Sequence, residues 1–468
     1  MSLPSPSRRP IRRLYAFYRD ADYFRQLFSL GAPIAFQQTV IALLNMVALV
    51  MVGQKGETAV AAVGLAGQVF FLLNLALFGI ASGSAIFTAQ LWGKKDVANL
   101  RKVLGLCLMF GLLVSLIFFL ISECLSAQIL GIFSRDPQLI DVGSQYLRIF
   151  AWSFFFFTIT YIYSLILRST GNVRLPMFVS TAALSLNTFL TFGLIFGRFG
   201  LPEMGINGAA TAIVISRTLE CFSLLLLAYN QRTVVAATLK ELLAMEYGFI
   251  LSVLKPVLPV ALNEFLWSMG TTAYSVVYAR IGTGSIAAIN MIATIDNLAF
   301  AFIIGIANAT AIMVGNRIGS GEEGIAYKYA GRSLGLGALT GVILGGTALL
   351  SADGVLSLFK VSPIVLRDAQ VVLLIFGTLL WLRAMNSIMV VGVLRSGGDT
   401  LFCLFMDGVI IWVVGVPAAA LGAFTFHLPV YWVYLLAMTE EVTKWFIGMP
   451  RYFSHKWIHD LAQSVGAN

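Results

Sequence analysis

Residues 103–122 read VLGLCLMFGLLVSLIFFLIS, twenty positions with no charge, no proline and no alternation of apolar with polar side chains. At 1.5 Å per residue this run makes a helix about 30 Å long, the thickness of a bilayer's hydrocarbon core. A strand facing lipid on one side would alternate, and in lipid only a helix or a closed barrel satisfies every backbone N–H and C=O. The run is a membrane-spanning helix. Outward from it the chain repeats the same signal near 27–52, 62–91, 140–167, 175–197, 205–229, 251–279, 286–314, 329–351, 365–394, 402–424 and 430–448. With 103–122 as the third, these are spans 1–12 of an all-α integral membrane protein. Composition agrees: 59% of residues are hydrophobic and 11% charged, where a soluble domain carries about 25% charged residues.

The spans divide the chain into a basic N-terminal segment (1–26), a first lobe (27–229), a polar linker (230–250), a second lobe (251–449) and a C-terminal tail (450–468). Net charge is +9, but the basic residues are distributed as a membrane topology requires, and no nucleic-acid partner is expected. With both termini in the cytoplasm and residues near a span end assigned to the side they lie nearest, 22 of the 31 Lys and Arg residues fall inside, 7 outside and 2, Arg217 and Arg383, deep within spans. That excess orients the chain. Arg8, Arg9, Arg12, Arg13, Arg19 and Arg25 read as an anchor against anionic headgroups, since no cleavage pattern follows them. Cys107, Cys124, Cys221 and Cys403 lack metal-ligand spacing and read as packing residues.

Shifting the sequence by 226 residues lays Pro33-Ile-Ala-Phe-Gln-Gln38 on Pro259-Val-Ala-Leu-Asn-Glu264, Gly79-Ile-Ala81 on Gly305-Ile-Ala307, and Gly93 on Gly319. One residue further on, Leu167-Arg-Ser-Thr-Gly-Asn172 lies on Leu394-Arg-Ser-Gly-Gly-Asp399. A register held through prolines, glycines and loops is an internal repeat. It covers six spans, an even number, so both copies enter the membrane from one side and are related by an axis along its normal. Parallel repeats of this kind, with substrate near the midplane, are a transporter pattern.

The motifs Ala59-Val-Ala-Ala-Val-Gly64, Leu167-Arg-Ser-Thr-Gly-Asn172, Gly205-Ile-Asn-Gly-Ala-Ala210 and Leu394-Arg-Ser-Gly-Gly-Asp-Thr400 occur in the order seen in the multidrug and toxic compound extrusion (MATE) transporters, which this chain resembles over nearly its whole length. Asn263-Glu264-Phe-Leu-Trp267 is similar to the prokaryotic branch. The resemblance implies two pseudo-symmetric six-helix bundles in a V, without cofactor, and efflux driven by inward H⁺ or Na⁺. It also implies a bacterial inner-membrane location. The family often carries aspartates late in span 1 and in span 5; here those places hold Ala48 and Thr191, which points the coupling chemistry to the second lobe.

Intramembrane charges are functional by default, because each is costly to insert. Counted along the helical rise, Glu264 lies roughly 20 Å into span 7, Asp296 and Arg383 about 18 Å from the ends of spans 8 and 10, and Asp407 roughly 8–12 Å into span 11. The repeat pairs the three acids with Gln38, Phe70 and Ser180, all uncharged. Three carboxylates sharing a cavity with Arg383 would leave an excess negative charge able to take up H⁺, a Na⁺ held by Glu264, Asp296 and Asp407, or a cationic drug. Asn263, Asn297 and Asn386 would add neutral oxygens. The structural alternative is that Arg383 only neutralises one acid in a bridge. Arg217 and Glu220, three apart, read as a pair within one helix. In the first lobe Gln37, Gln38, Asn45, Gln68, Asn74, Tyr161, Tyr163 and Asn187 either face a polar cavity or bond between helices.

The expected function is export of amphiphilic, cationic small molecules by a monomer in the lipid bilayer. A flippase for a lipid-linked precursor is the alternative, and it would need a cavity lined by several cations. No enzyme motif occurs: the three histidines, His427, His455 and His459, lie near loops or the tail.

Overall fold

The computed structural model describes residues 20–357 and 361–466. Five of the six N-terminal arginines, Arg8 to Arg19, lie outside the described residues. Helices dominate, in the order α1 (Ala21–Gly53), α2 (Glu57–Gly93), α3 (Val97–Phe133), α4 (Pro137–Ala151 and Ser153–Ser169), α5 (Arg174–Phe196) and α6 (Ile206–Asn230). The second copy supplies α7 (Tyr247–Ile281), α8 (Thr283–Gly319), α9 (Glu323–Leu350), α10 (Pro363–Arg395), α11 (Thr400–Thr425) and α12 (Val430–Ala437 and Thr439–Phe453).

Ten of these helices are long and apolar enough to cross a membrane, and α4, bent by 46°, makes an eleventh. The twelfth, α12, is interrupted at Met438 and carries Glu440, Glu441 and Lys444. The helices outrun the apolar cores read from sequence: α3 extends well beyond 103–122 at both ends, and α1 starts at Ala21 inside the expected N-terminal segment.

Packing follows the bilayer's rule. On α3, Gly111, Ser115, Ser122 and Ser126 are buried while Leu113, Leu116, Ile117 and Leu120 are exposed. Small and hydroxyl side chains let helices approach and bond, and the large apolar ones meet lipid. The Gly331–Gly346 stretch works the same way, with Gly341 against the Trp381 backbone and Gly345 against the Gly377 carbonyl. Three cysteines are buried as expected, whereas Cys124 is exposed.

Two compact units result, and their composition departs from the two lobes read from sequence. The first-half unit is Phe36–Leu266 with the chain from Leu461, and the second-half unit is the chain up to Ala35 with Trp267–Asp460. The leading part of α1 thus belongs with the second copy, and the leading part of α7 with the first. Both exchanges follow prolines inside helices, Pro33 in α1 and Pro256 and Pro259 in α7, where the ladder loses an N–H and the helix can change direction. In the second-half unit Tyr23 of α1 is fully buried and bonds Ser333 at 2.8 Å. Asp20 accepts from Arg332 at 2.5 Å. Burial opposes ionisation of Asp20, but the Tyr23 N–H and the Arg332 guanidinium outweigh it and hold the carboxyl below its ordinary range. In the first-half unit Val253 and Val257 of α7 share a core with Phe87, Leu91 and Leu104.

The linker is not featureless. Leu239–Leu243 forms one helical turn with a capping box between Thr238 and Glu241, and Glu241 also accepts from Arg101 at 2.5 Å. Thr238 first, and Arg101 with it, holds the Glu241 carboxyl below its usual range. In the tail, Trp457 is fully buried and donates to the Tyr452 carbonyl.

Candidate functional site

Five helices of the second-half unit bring ionisable side chains together inside the bilayer. Arg383 of α10 donates to Asp296 of α8 at 2.6 Å, each side chain about three-quarters buried. Lys444 of α12 donates to Asp407 of α11 at 2.8 Å and lies 3.6 Å from Glu440, one turn back on its own helix. Glu440 accepts from the Tyr274 hydroxyl of α7 at 2.7 Å. Its neighbour Glu441 accepts from the side-chain amide of Asn386 at 2.7 Å. Tyr434 stands within electrostatic reach of Arg383, Asp296 and Glu441, and Tyr278 within reach of Tyr434 and Glu440. Four carboxylates and two cations therefore form one connected set. Burial of Lys444 at 2% and Glu440 at 5% exposure is tolerable only because each has partners.

Local backbone helps to build the set. Asp407 lies in a wide π-helical turn, Leu404–Val409, and another, Ile411–Gly415, follows it. Such turns insert a residue and change which face the next side chains occupy. At Gly415 a β-carbon would collide with the Tyr274 hydroxyl and come within 2.6 Å of Glu440 Oε2. Glycine at this position is what lets α11 pass beside that bond.

Of the residues singled out from sequence, Asp296, Arg383, Asp407 and Asn386 meet in this set. Arg383 is bonded to Asp296, and the cation bonded to Asp407 is Lys444. Lys444 lies in span 12 as read from sequence but counts there with the cytoplasmic-side charges; in the structure the helix runs on to Phe453 and Lys444 is buried in its middle. Asn386 presents its N–H₂ group to Glu441, so its role there is as a donor. Asn297 is exposed. Glu264 and Asn263, both buried, fall in the first-half unit because α7 changes unit after Leu266. The grouping of Glu264 with Asp296 and Asp407 around Arg383 is therefore not found within one unit. Within its own unit Glu264 shares the neighbourhood of Tyr161 with Arg168.

The first-half polar residues separate by exposure. Gln37 is buried and accepts from Arg168 at 2.8 Å. Gln38, Asn45 and Gln68 are exposed, while Asn74, Tyr161 and Asn187 are half-buried. Tyr163 is buried, 3.4 Å from the Tyr229 hydroxyl. Arg217 and Glu220 do form their pair, at 2.7 Å, and Ser180 donates to Glu220 at 2.6 Å. Ser180 is the repeat counterpart of Asp407, so both copies bond between their fifth and sixth spans, one through a hydroxyl and one through a carboxylate. Glu440 and Glu441 were absent from the sequence-derived set. Their signal is the i, i+4 spacing of Glu440 and Lys444 in the last part of span 12.

A family model described as MatE matches residues 33–192 and again 259–421. The two matches begin 226 residues apart, the register of the internal repeat. A probable multidrug resistance protein NorM from Thermotoga maritima is 23% identical over 434 residues, 92% of this chain and 93% of the relative. An uncharacterized transporter, YisQ, from Bacillus subtilis is 24% identical over 447 residues, 95% of this chain and 97% of its own length. Among solved structures, the Vibrio cholerae MATE transporter VcmN in its bent form superposes with a TM-score of 0.83 at 18% identity, covering 94% of this chain and 99% of that one. A MOP superfamily transporter from Pyrococcus furiosus gives 0.80 at 20% identity, covering 92% and 96%.

Proposed function

The chain belongs to the MatE family, and from that premise we propose that it is a secondary active exporter of amphiphilic, cationic small molecules in exchange for inward H⁺ or Na⁺. It works as a multi-pass protein of a bacterial inner membrane with both termini in the cytoplasm, by alternating access and without a cofactor. Asp296 and Asp407 in the second-half unit and Glu264 in α7 are the coupling carboxylates. The observation that carries this reading is the excess of acid over base in the connected buried set of the second-half unit, four carboxylates against Arg383 and Lys444. Groups so costly in a membrane line a path for ions or substrate far more often than they serve packing. An excess negative charge attracts a coupling cation and a cationic substrate alike, and competition between them is what antiport requires. The relatives described as multidrug resistance proteins support the same substrate class.

Everted vesicles energised by a H⁺ or a Na⁺ gradient should accumulate ethidium, and replacing Na⁺ by K⁺ at fixed pH distinguishes the two ions. No gradient-dependent accumulation under either condition refutes the exporter. Glu264→Gln should abolish coupling; normal transport by that variant removes Glu264 from the site.

A further inference from the structure

We propose that Glu440 of α12 is a proton-binding residue, held between Tyr274 and Lys444, and that the second-half network takes H⁺ in preference to Na⁺. As an account of coupling this rests on the exporter reading; as a binding site it stands on geometry alone.

The four acids are unequally compensated. Asp296 is bonded to the Arg383 guanidinium and Asp407 to the Lys444 ammonium, each by a short charged contact. Glu441 receives the Asn386 N–H₂, a donor with no acceptor to offer from that atom, so this bond favours the carboxylate. Glu440 is left with 3.6 Å to an ammonium already bonded elsewhere. Its short contact is with Tyr274, a phenol, whose hydroxyl can accept a hydrogen bond as well as donate one. Glu440 is thus the acid in the set whose short partner suits both the ionised and the neutral form. Glu441 is its neighbour in sequence and Asp407 shares the Lys444 ammonium with it, so two further carboxylates stand close by. Hydronium transfers its proton to the carboxylate, an O–H bond forms on Glu440, and water leaves. Tyr274 can turn its hydroxyl to accept that proton's hydrogen bond, in the space that Gly415 keeps open.

Sodium lacks an equivalent place. A hard cation needs a cage of several oxygens, and the space between Asp407 and Glu440 is already held by the Lys444 ammonium. Among the described residues no group of three or more His, Cys, Asp or Glu side chains is arranged to hold a metal ion.

Infrared difference spectroscopy of the purified full chain in lipid tests this without any transport measurement. Wild-type protein at neutral pH should show a protonated-carboxyl band, sensitive to D₂O, that is lost in Glu440→Gln and kept in Glu441→Gln. Tyr274→Phe should shift the band without removing it, and this second variant serves if Glu440→Gln fails to fold. Added Na⁺ at fixed pH should leave the band intact. A band unchanged in both Glu440→Gln and Tyr274→Phe, lost in Glu441→Gln instead, or abolished by Na⁺ overturns the proposal. Failed ethidium transport with the band present refutes the exporter and leaves the proton site standing.

Discussion

An ammonium group held 2.8 Å from Asp407 and 3.6 Å from Glu440, in the middle of a membrane-spanning helix, has no water to fall back on. Removing it takes away the cation that both carboxylates share, and breaking a buried pair from one side costs about 3–5 kcal/mol. Lys444→Met should therefore lower the unfolding temperature in detergent strongly. The double variant Lys444→Met with Asp407→Asn should recover most of the loss, and a double variant as unstable as the single one would contradict the pairing. At this scale the sequence was informative wherever a charge interrupted an apolar run, as Asp296, Arg383 and Asp407 do. It did not single out Lys444, because a basic residue near the cytoplasmic end of a run is what orientation alone would place there. For Glu264 the depth along α7 is legible in the sequence, whereas the change of unit along α7, past Pro256 and Pro259, is not.

Helix α2 shows what an element needs from its neighbours. A β-carbon on Gly79 would come 2.8 Å from Ala261 Cα, whereas one on Gly64 would meet nothing within 4 Å. Overpacking at a close contact typically costs 1–3 kcal/mol. Gly79→Leu should accordingly destabilise the protein by roughly that amount, and Gly64→Leu should be nearly silent in the same thermal assay. Equal effects of the two substitutions would mean that α7 does not depend on the approach at Gly79. Helix existence was legible throughout, since twenty apolar residues without alternation admit one structure in lipid. The bend between Ala151 and Ser153 was not, for no proline or glycine marks it. Nor were the π-helical turns of α10 and α11, because apolar residues surround the helix and a widened turn leaves no break in the pattern.

Over the whole molecule the two copies share a plan and differ in chemistry. The register through Pro33 and Pro259 was visible in sequence, and the doubled family match begins at those same residues. The charged set of the second copy has, as its counterpart in the first, a smaller one of Arg217, Glu220 and Ser180. Chain order gives this asymmetry a consequence for biogenesis. Helix α12 emerges from the ribosome after α7–α11 and is, of these twelve, the span least able to enter a bilayer by its own apolarity, since charged residues cost about 2.5–3.5 kcal/mol each at a helix centre. Its partners Tyr274, Asn386 and Asp407 have by then been made. A reporter fused after Phe453 should register insertion when α7–α11 precede it and largely fail when residues 430–453 follow an unrelated leader. Equal insertion in both settings would show that the span needs no help. Where insertion does depend on α7–α11, the ion pairs that complete the second copy also act as its assembly signal, with the earlier helices recruiting α12 into the membrane.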